Sequence, residues 1–192
     1  MKHYLMVDLG TGNSRVALVD SDGGILGLRT YTNVYHRDSA YEDGQYFLPE
    51  DWAALLLQGC RELCREHPDV QVNAVSAAGA RQSFVLLDGN GRAFLGLPNI
   101  DNRGRAYMAQ VPEHDEIYRL SGKWATEDFG AAKLLGLRMQ HPEQYEAVES
   151  VLSLSEWIAW IFTGRKVMEY TQACESQLYD IGQRSWSQTL CS

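Results

Sequence analysis

The sequence predicts an α/β domain on a mixed β-sheet that opens as a β-meander and is flanked by helices. Three observations predict it. Three short apolar runs joined by glycine-bearing turns fill the first thirty-odd residues. An amphipathic helical pattern then leads into a run of small and β-branched residues, and helical patterning dominates after Arg103.

The runs at 4–8, 15–20 and 25–31 read as strands. Gly10-Thr11-Gly12-Asn13 turns the first into the second, and Asp22-Gly23-Gly24 is a hairpin signal. No helix follows the first glycine-rich turn, which excludes a Rossmann dinucleotide site there. The aromatic, polar and aperiodic stretch 34–49 reads as a loop. Asp51 is then expected to cap a helix through Glu66, with Trp52, Leu55, Leu56, Cys60 and Leu63 on one face. Residues 70–78 suit a buried strand, and 83–87 another, ended by Asp88-Gly89-Asn90-Gly91. Helical segments are expected near 103–111, over 131–140 and after Pro142. Ser153 or Ser155 opens a Trp-rich helix ending at Gly164, its aromatics read as core. A short strand at 178–180 closes the pattern.

The chain of 192 residues fits one domain, with 45% hydrophobic and 22% charged residues as in ordinary soluble proteins. A net charge of −8 argues against nucleic acid and anionic membranes as partners. No apolar run reaches the ~18 residues of a membrane span. Cys60, Cys64, Cys174 and Cys191 form no CxxC pair and have no His cluster beside them, so reduced thiols and a cytoplasmic location are expected.

Asp8-Leu9-Gly10-Thr11-Gly12-Asn13-Ser14-Arg15 is the sharpest local signal. A strand delivers a carboxylate to its end, and a turn of small residues offers exposed amides. Glycine admits an anion close to the backbone, and successive N–H groups form an anion-binding concavity. Asp8 suits a Mg²⁺ held through water, since Mg²⁺ keeps several waters and needs few protein carboxylates. Arg15 supports the loop or its charge. The loop lacks the GKS/T ending of a Walker A motif. A glycine-rich β-hairpin without a ligand would read the same way.

Arg81-Gln82 opens the strand at 83–87, where a fixed cationic donor and an amide can recognise polyol hydroxyls. Asn99-Ile100-Asp101-Asn102-Arg103 offers a further polar group, or a structural ion pair between Asp101 and Arg103.

These motifs, in this order, resemble the FGGY carbohydrate kinases of the actin–hexokinase–Hsp70 superfamily. The octet at Asp8 resembles the superfamily's first phosphate loop. Arg81-Gln82 is similar to a strand-end Arg-Glu, with Gln82 in place of Glu. Asn99-Ile100-Asp101-Asn102-Arg103 is similar to Trp-x-Asp-x-Arg, with Asn99 in place of Trp. The stretch from Asp128 through Lys133 to Leu135, the helix ending in Thr163-Gly164, and the segment 170–186 also find counterparts. The pattern leans toward autoinducer-2 kinase-like or uncharacterised sugar kinases.

The resemblance implies an RNase H-like, actin-like ATPase fold, with residues 1–192 as the N-terminal, sugar-binding domain. It implies transfer of the γ-phosphoryl of Mg·ATP to a sugar or polyol. Asp8, Gly10, Thr11, Gly12, Asn13 and Arg15 would face the phosphates, with Asp8 on Mg²⁺. Arg81, Gln82, Asn99, Asp101 and Asp128 would face the sugar. The general base and adenine pocket are expected beyond Ser192, in a C-terminal ATP-binding domain absent from this chain. Residues 1–192 alone are therefore expected to be inactive, with homodimerisation through uncovered surface. Two alternatives stay open: a sugar-binding or regulatory module without chemistry, and a metal-dependent nuclease, against which the acidic charge counts.

Overall fold

The computed structural model describes residues 1–111 and 114–191. The meander is β1 (His3–Leu9), β2 (Asn13–Asp20) and β3 (Ile25–Thr32), paired antiparallel in turn. A helix, α1 (Pro49–Glu66), carries the chain back to β6 (Val72–Gly79), which joins β1 in parallel and gives the order β3-β2-β1-β6. The sheet is thus mixed.

The stretch expected as loop contains a small hairpin, β4 (His36–Asp38) with β5 (Gly44–Tyr46). Its strands are three residues each, too short for periodicity to mark. The start of α1 also differs: Pro49 takes the first turn and Leu48 the cap position, with no side-chain cap bond. Pro is pre-organised there, and Glu50 and Asp51 favour the positive helix end from inside the first turn. Trp52, Leu56, Cys60 and Leu63 are buried as expected, whereas Leu55 is exposed.

A second, antiparallel sheet has the order β8-β7-β9, from β7 (Phe84–Leu87), β8 (Ala93–Leu97) and β9 (Ser150–Ser153). All four residues of β7 are buried. Val85 and Leu87 face the main core with the inner face of β1 and β2 (Leu5, Val7, Leu9, Val16, Leu18) and α1. Leu86 faces a second cluster with Leu95, Leu97 and Leu137.

The segment expected as helix near 103–111 is a 3₁₀ turn, Arg105–Gln110. It is followed by α2 (His114–Ser121), α3 (Gly130–Gln140) and α4 (Pro142–Glu146). Ser153 precedes α5 (Leu154–Thr163), which Gly164 ends at φ 68° with its N–H on Trp160 O at 2.7 Å. Trp157 and Ile158 enter the core, whereas Phe162 is exposed. Next comes α6 (Tyr170–Glu175), capped by the Glu169 carboxylate. A two-residue hairpin, β10 (Tyr179–Asp180) with β11 (Ser185–Trp186), and a last turn, α7 (Gln188–Cys191), follow.

The strand expected to be buried, β6, is largely exposed. It ends the four-stranded sheet, and α5 packs on one face only. Its last residue needs the absence of a side chain: a Cβ on Gly79 would stand 2.6 Å from Leu154 Cβ. The outer sheet face is open, with Met6 41% and Leu28 47% exposed. No helix among the described residues is long and apolar enough to cross a membrane.

Candidate functional site

Because β1 and β6 run parallel with Asp8 beside Ala78 and Leu9 beside Gly79, the segments leaving both strands emerge at one sheet edge. Ala80 N donates to Leu9 O at 2.8 Å, so Arg81 starts next to the glycine-rich loop.

That loop is tight and tethered. Gly10 N donates to Asn13 O at 3.0 Å. Asn33 Nδ2 donates to Gly10 O at 2.7 Å, and Tyr35 Oη donates to Thr11 O at 2.6 Å. The loop's carbonyls are thus turned into the protein. The Thr11 and Gly12 amides have no backbone acceptor among the described residues, and a Cβ on Gly12 would meet nothing within 4 Å. Inward carbonyls, unclaimed amides and open space are the ingredients of an anion cradle. Asn33 and Tyr35 were not foreseen from the sequence; they lie in the aperiodic stretch after β3, where no motif flags them.

Asp8 and Arg15 pair across β1 and β2, Nη1 to Oδ2 at 3.2 Å, with side chains 51% and 46% exposed. A pair this exposed contributes about 0–1 kcal/mol. One Asp8 oxygen is left without a protein cation, which fits water-mediated attraction to a Mg²⁺. Among the described residues no group of three or more His, Cys, Asp or Glu forms a direct metal cage.

On the other side of the edge, Arg81 is 73% exposed. Gln82 adopts φ 61°, a left-handed conformation rare outside glycine. Asn99 links the two sides: its Nδ2 donates to Thr11 Oγ1 at 2.9 Å and its N–H to Ser83 Oγ at 2.9 Å. Asp8, Gly10 to Asn13, Arg15, Arg81, Gln82 and Asn99 therefore share one edge.

Asp101 stands apart from them. It is fully buried; its oxygens accept from Gln45 N at 2.8 Å and Arg103 Nε at 2.7 Å. Both oxygens are used inside the protein, so Asp101 has the place of a structural anion. Arg103, also buried, donates to Gln45 O at 3.1 Å and lies 4.9 Å over the Tyr41 ring. The pair pins the β4–β5 hairpin to the core, and burial pushes the Tyr41 phenol up to about 12. Lys133 is buried too, donating to Pro98 O at 2.6 Å and Asp101 O at 2.7 Å; burial lowers its pKa to about 8. Asp128 is exposed on the loop before α3, where its charge favours protonated Lys133.

A further carboxylate, Glu175, lies beside Arg81, with Nη1 to Oε1 at 3.8 Å, and bonds Lys123 Nζ at 3.1 Å. Neither Lys123 nor the pairing was legible beforehand, because the three residues are far apart in sequence and lie on separate elements.

Residues 3–192 match the FGGY family of carbohydrate kinases, N-terminal domain. The chain is 39% identical over 191 residues to the protein named sugar kinase YoaC of Bacillus subtilis, covering 99% of this chain and 39% of the relative. It is 28% identical over 199 residues to the autoinducer-2 kinase of Salmonella choleraesuis, covering 98% of this chain and 37% of that protein. Among solved structures, xylulose kinase from Rhodospirillum rubrum superposes with a TM-score of 0.84 at 19% identity, covering 99% of this chain and 40% of that one. Neighbours at such low identity carry the fold: the mixed α/β domain is of the actin-like ATPase type. The chain spans about 39% of the length of its first relative.

Proposed function

The chain belongs to the FGGY family of carbohydrate kinases, and we propose that residues 1–192 form the acceptor-binding domain of an ATP-dependent sugar or polyol kinase. The observation that carries this reading is the shared edge. Parallel β1 and β6 end at one sheet edge, where Ala80 N on Leu9 O at 2.8 Å sets the segment leading into Arg81 beside the loop whose Thr11 and Gly12 amides have no backbone acceptor among the described residues. Ligands of open α/β sheets bind outside the carboxyl ends of strands.

In this reading the loop amides receive the terminal phosphates of ATP, which supplies the phosphoryl group. Asp8 attracts Mg²⁺ through water, and Arg81, Gln82 and Asn99 hold acceptor hydroxyls. Among the carboxylates considered, Asp101 is engaged in its buried pair and Glu175 between two cations, while Asp128 is exposed on the loop before α3, within electrostatic reach of Lys133. A general base and an adenine pocket are accordingly assigned to sequence outside residues 1–192. The uncovered face with Met6 and Leu28 fits burial against further protein, a second copy included. Four free cysteines fit a reducing, cytoplasmic setting.

Calorimetry of the 192-residue chain against D-xylulose, glycerol and D-gluconate tests this. One or more probes should bind the native chain and lose about tenfold or more in affinity on Arg81→Ala. Equal affinity in both proteins, or no binding to the native chain, would reject the acceptor site. A coupled assay for ADP release should find no turnover by the chain alone; rates of ~1–100 s⁻¹ would overturn the assignment of the base elsewhere.

A further inference from the structure

Beside Arg81 one buried carboxylate pairs with two cations. The Glu175 side chain, at the end of α6, is only 6% exposed. Its Oε1 lies 3.1 Å from Lys123 Nζ and 3.8 Å from Arg81 Nη1, while its Oε2 is cut off from solvent with no hydrogen-bond partner among the described residues. A carboxylate oxygen left unpaired at such depth is costly.

Two backbone outliers flank the cluster. Gln82, at φ 61°, follows Arg81 directly; Gln177, at φ 59°, lies two residues beyond Glu175. The Gln177 Nε2 donates to the carbonyls of Lys123 at 3.3 Å and Trp124 at 2.8 Å, clamping the backbone that carries the lysine. Non-glycine residues in this region are held there by their surroundings, and such strain gathers at binding and catalytic sites. Lys123 is further confined over the Phe129 ring at 5.1 Å. Arg81 is held more loosely, since 3.8 Å exceeds the ~2.8 Å of a charge-assisted hydrogen bond. It remains 73% exposed, and no other hydrogen bond of its guanidinium is made to a described residue.

We propose that Glu175 is a positioning residue for the acceptor. It anchors Lys123 by a hydrogen bond and draws Arg81 beside it by charge, so that donors of both cations meet neighbouring hydroxyls of a sugar or polyol. Anchoring removes rotamer freedom before the ligand arrives, which is the general gain from pre-organising a site. This inference rests on the acceptor-site reading above.

Its test is a mutant cycle on the 192-residue chain, read by calorimetry with D-xylulose, glycerol and D-gluconate and by urea denaturation of each variant. Glu175→Gln should weaken the best-bound probe roughly tenfold. Added to the Arg81→Ala/Lys123→Met pair, it should change affinity less than about twofold, because Glu175 acts through those two groups. A merely structural Glu175 would lower stability and leave affinity as it was, which overturns the inference. If Glu175→Gln does not fold, Glu175→Asp takes its place: it keeps the charge but withdraws it from Arg81, and unchanged affinity overturns the inference likewise. Loss of binding in Arg81→Ala alongside native affinity in Glu175→Gln rejects only this proposal. No effect of Arg81→Ala, or no binding to the native chain, rejects the acceptor site and this proposal with it.

Discussion

Replacing Asp101 by Asn separates a structural anion from a sugar ligand. In the native chain the fully buried Arg103 guanidinium has Asp101 at 2.7 Å as its close counter-charge. Asp38 is the next anion, 3.8 Å from Nη1, which has no hydrogen-bond partner among the described residues. Neutralising Asp101 leaves the buried Arg103 with that more distant carboxylate, and leaves Asp128 as the anion that favours protonated Lys133. Breaking one side of a buried pair costs about 3–5 kcal/mol. Asp38 offsets part of this, so the lower end, ~3 kcal/mol, is expected. For a domain of this size that corresponds to a fall of roughly 6–12 °C in Tm. Urea denaturation followed by tryptophan fluorescence measures it. The double change Asp101→Leu/Arg103→Met should recover at least about half, since removing both charges removes the desolvation problem. A loss below about 1 kcal/mol for Asp101→Asn, especially one paired with lost sugar affinity, would refute the reasoning and return Asp101 to the acceptor site.

Lys133 gives a pH test. Burial lowers its folded pKa to about 8 from 10.5, against the favourable charges of Asp101 and Asp128 and with the unfavourable charge of Arg103. Between those values the unfolded chain holds a proton the folded chain has released, so this group makes stability rise with pH across the window, by on the order of 3 kcal/mol. Burial of Cys60, pushed up to about 11, and of Tyr41 acts in the opposite sense above pH 9, so the readout is the difference between the two proteins. Urea midpoints at pH 7.5, 9 and 10.5 should rise with pH in the native chain relative to Lys133→Met, and parallel curves would contradict it. Gly12→Ala should leave folding intact or stabilise it by ~0.4–1 kcal/mol, because its Cβ meets open space. The same methyl intrudes on the proposed phosphate cradle, so ATP affinity, read by calorimetry, should fall about tenfold or more. Native affinity in Gly12→Ala would place the phosphates elsewhere.

The meander was legible because its turns carry glycine and its strands are apolar, and α5 because Gly164 marks its end at positive φ. The exposure of β6 was not: small and β-branched residues look alike in a buried strand and in an end strand covered on one face. The second sheet was half visible: the turn at Asp88 announced β7, and β8 follows directly across it, but β9 completes the sheet from distant sequence. At the site, the loop and Arg81 were readable as motifs. Asp101 was readable as either ligand or ion pair, and only its burial favours the second. Glu175 and Lys123 are brought to Arg81 by tertiary packing, which leaves no local pattern.

The central claim is that the glycine-rich loop and Arg81 face one groove that takes the acceptor. Two-dimensional ¹H–¹⁵N spectra of the 192-residue chain, titrated with the probe that binds best in calorimetry, address it directly. The amide shifts should concentrate at Thr11, Arg81, Gln82 and Asn99 and leave the outer sheet strand β3 unmoved. Shifts confined to β3 or to the α4 end of the molecule, with those four amides still, would contradict it.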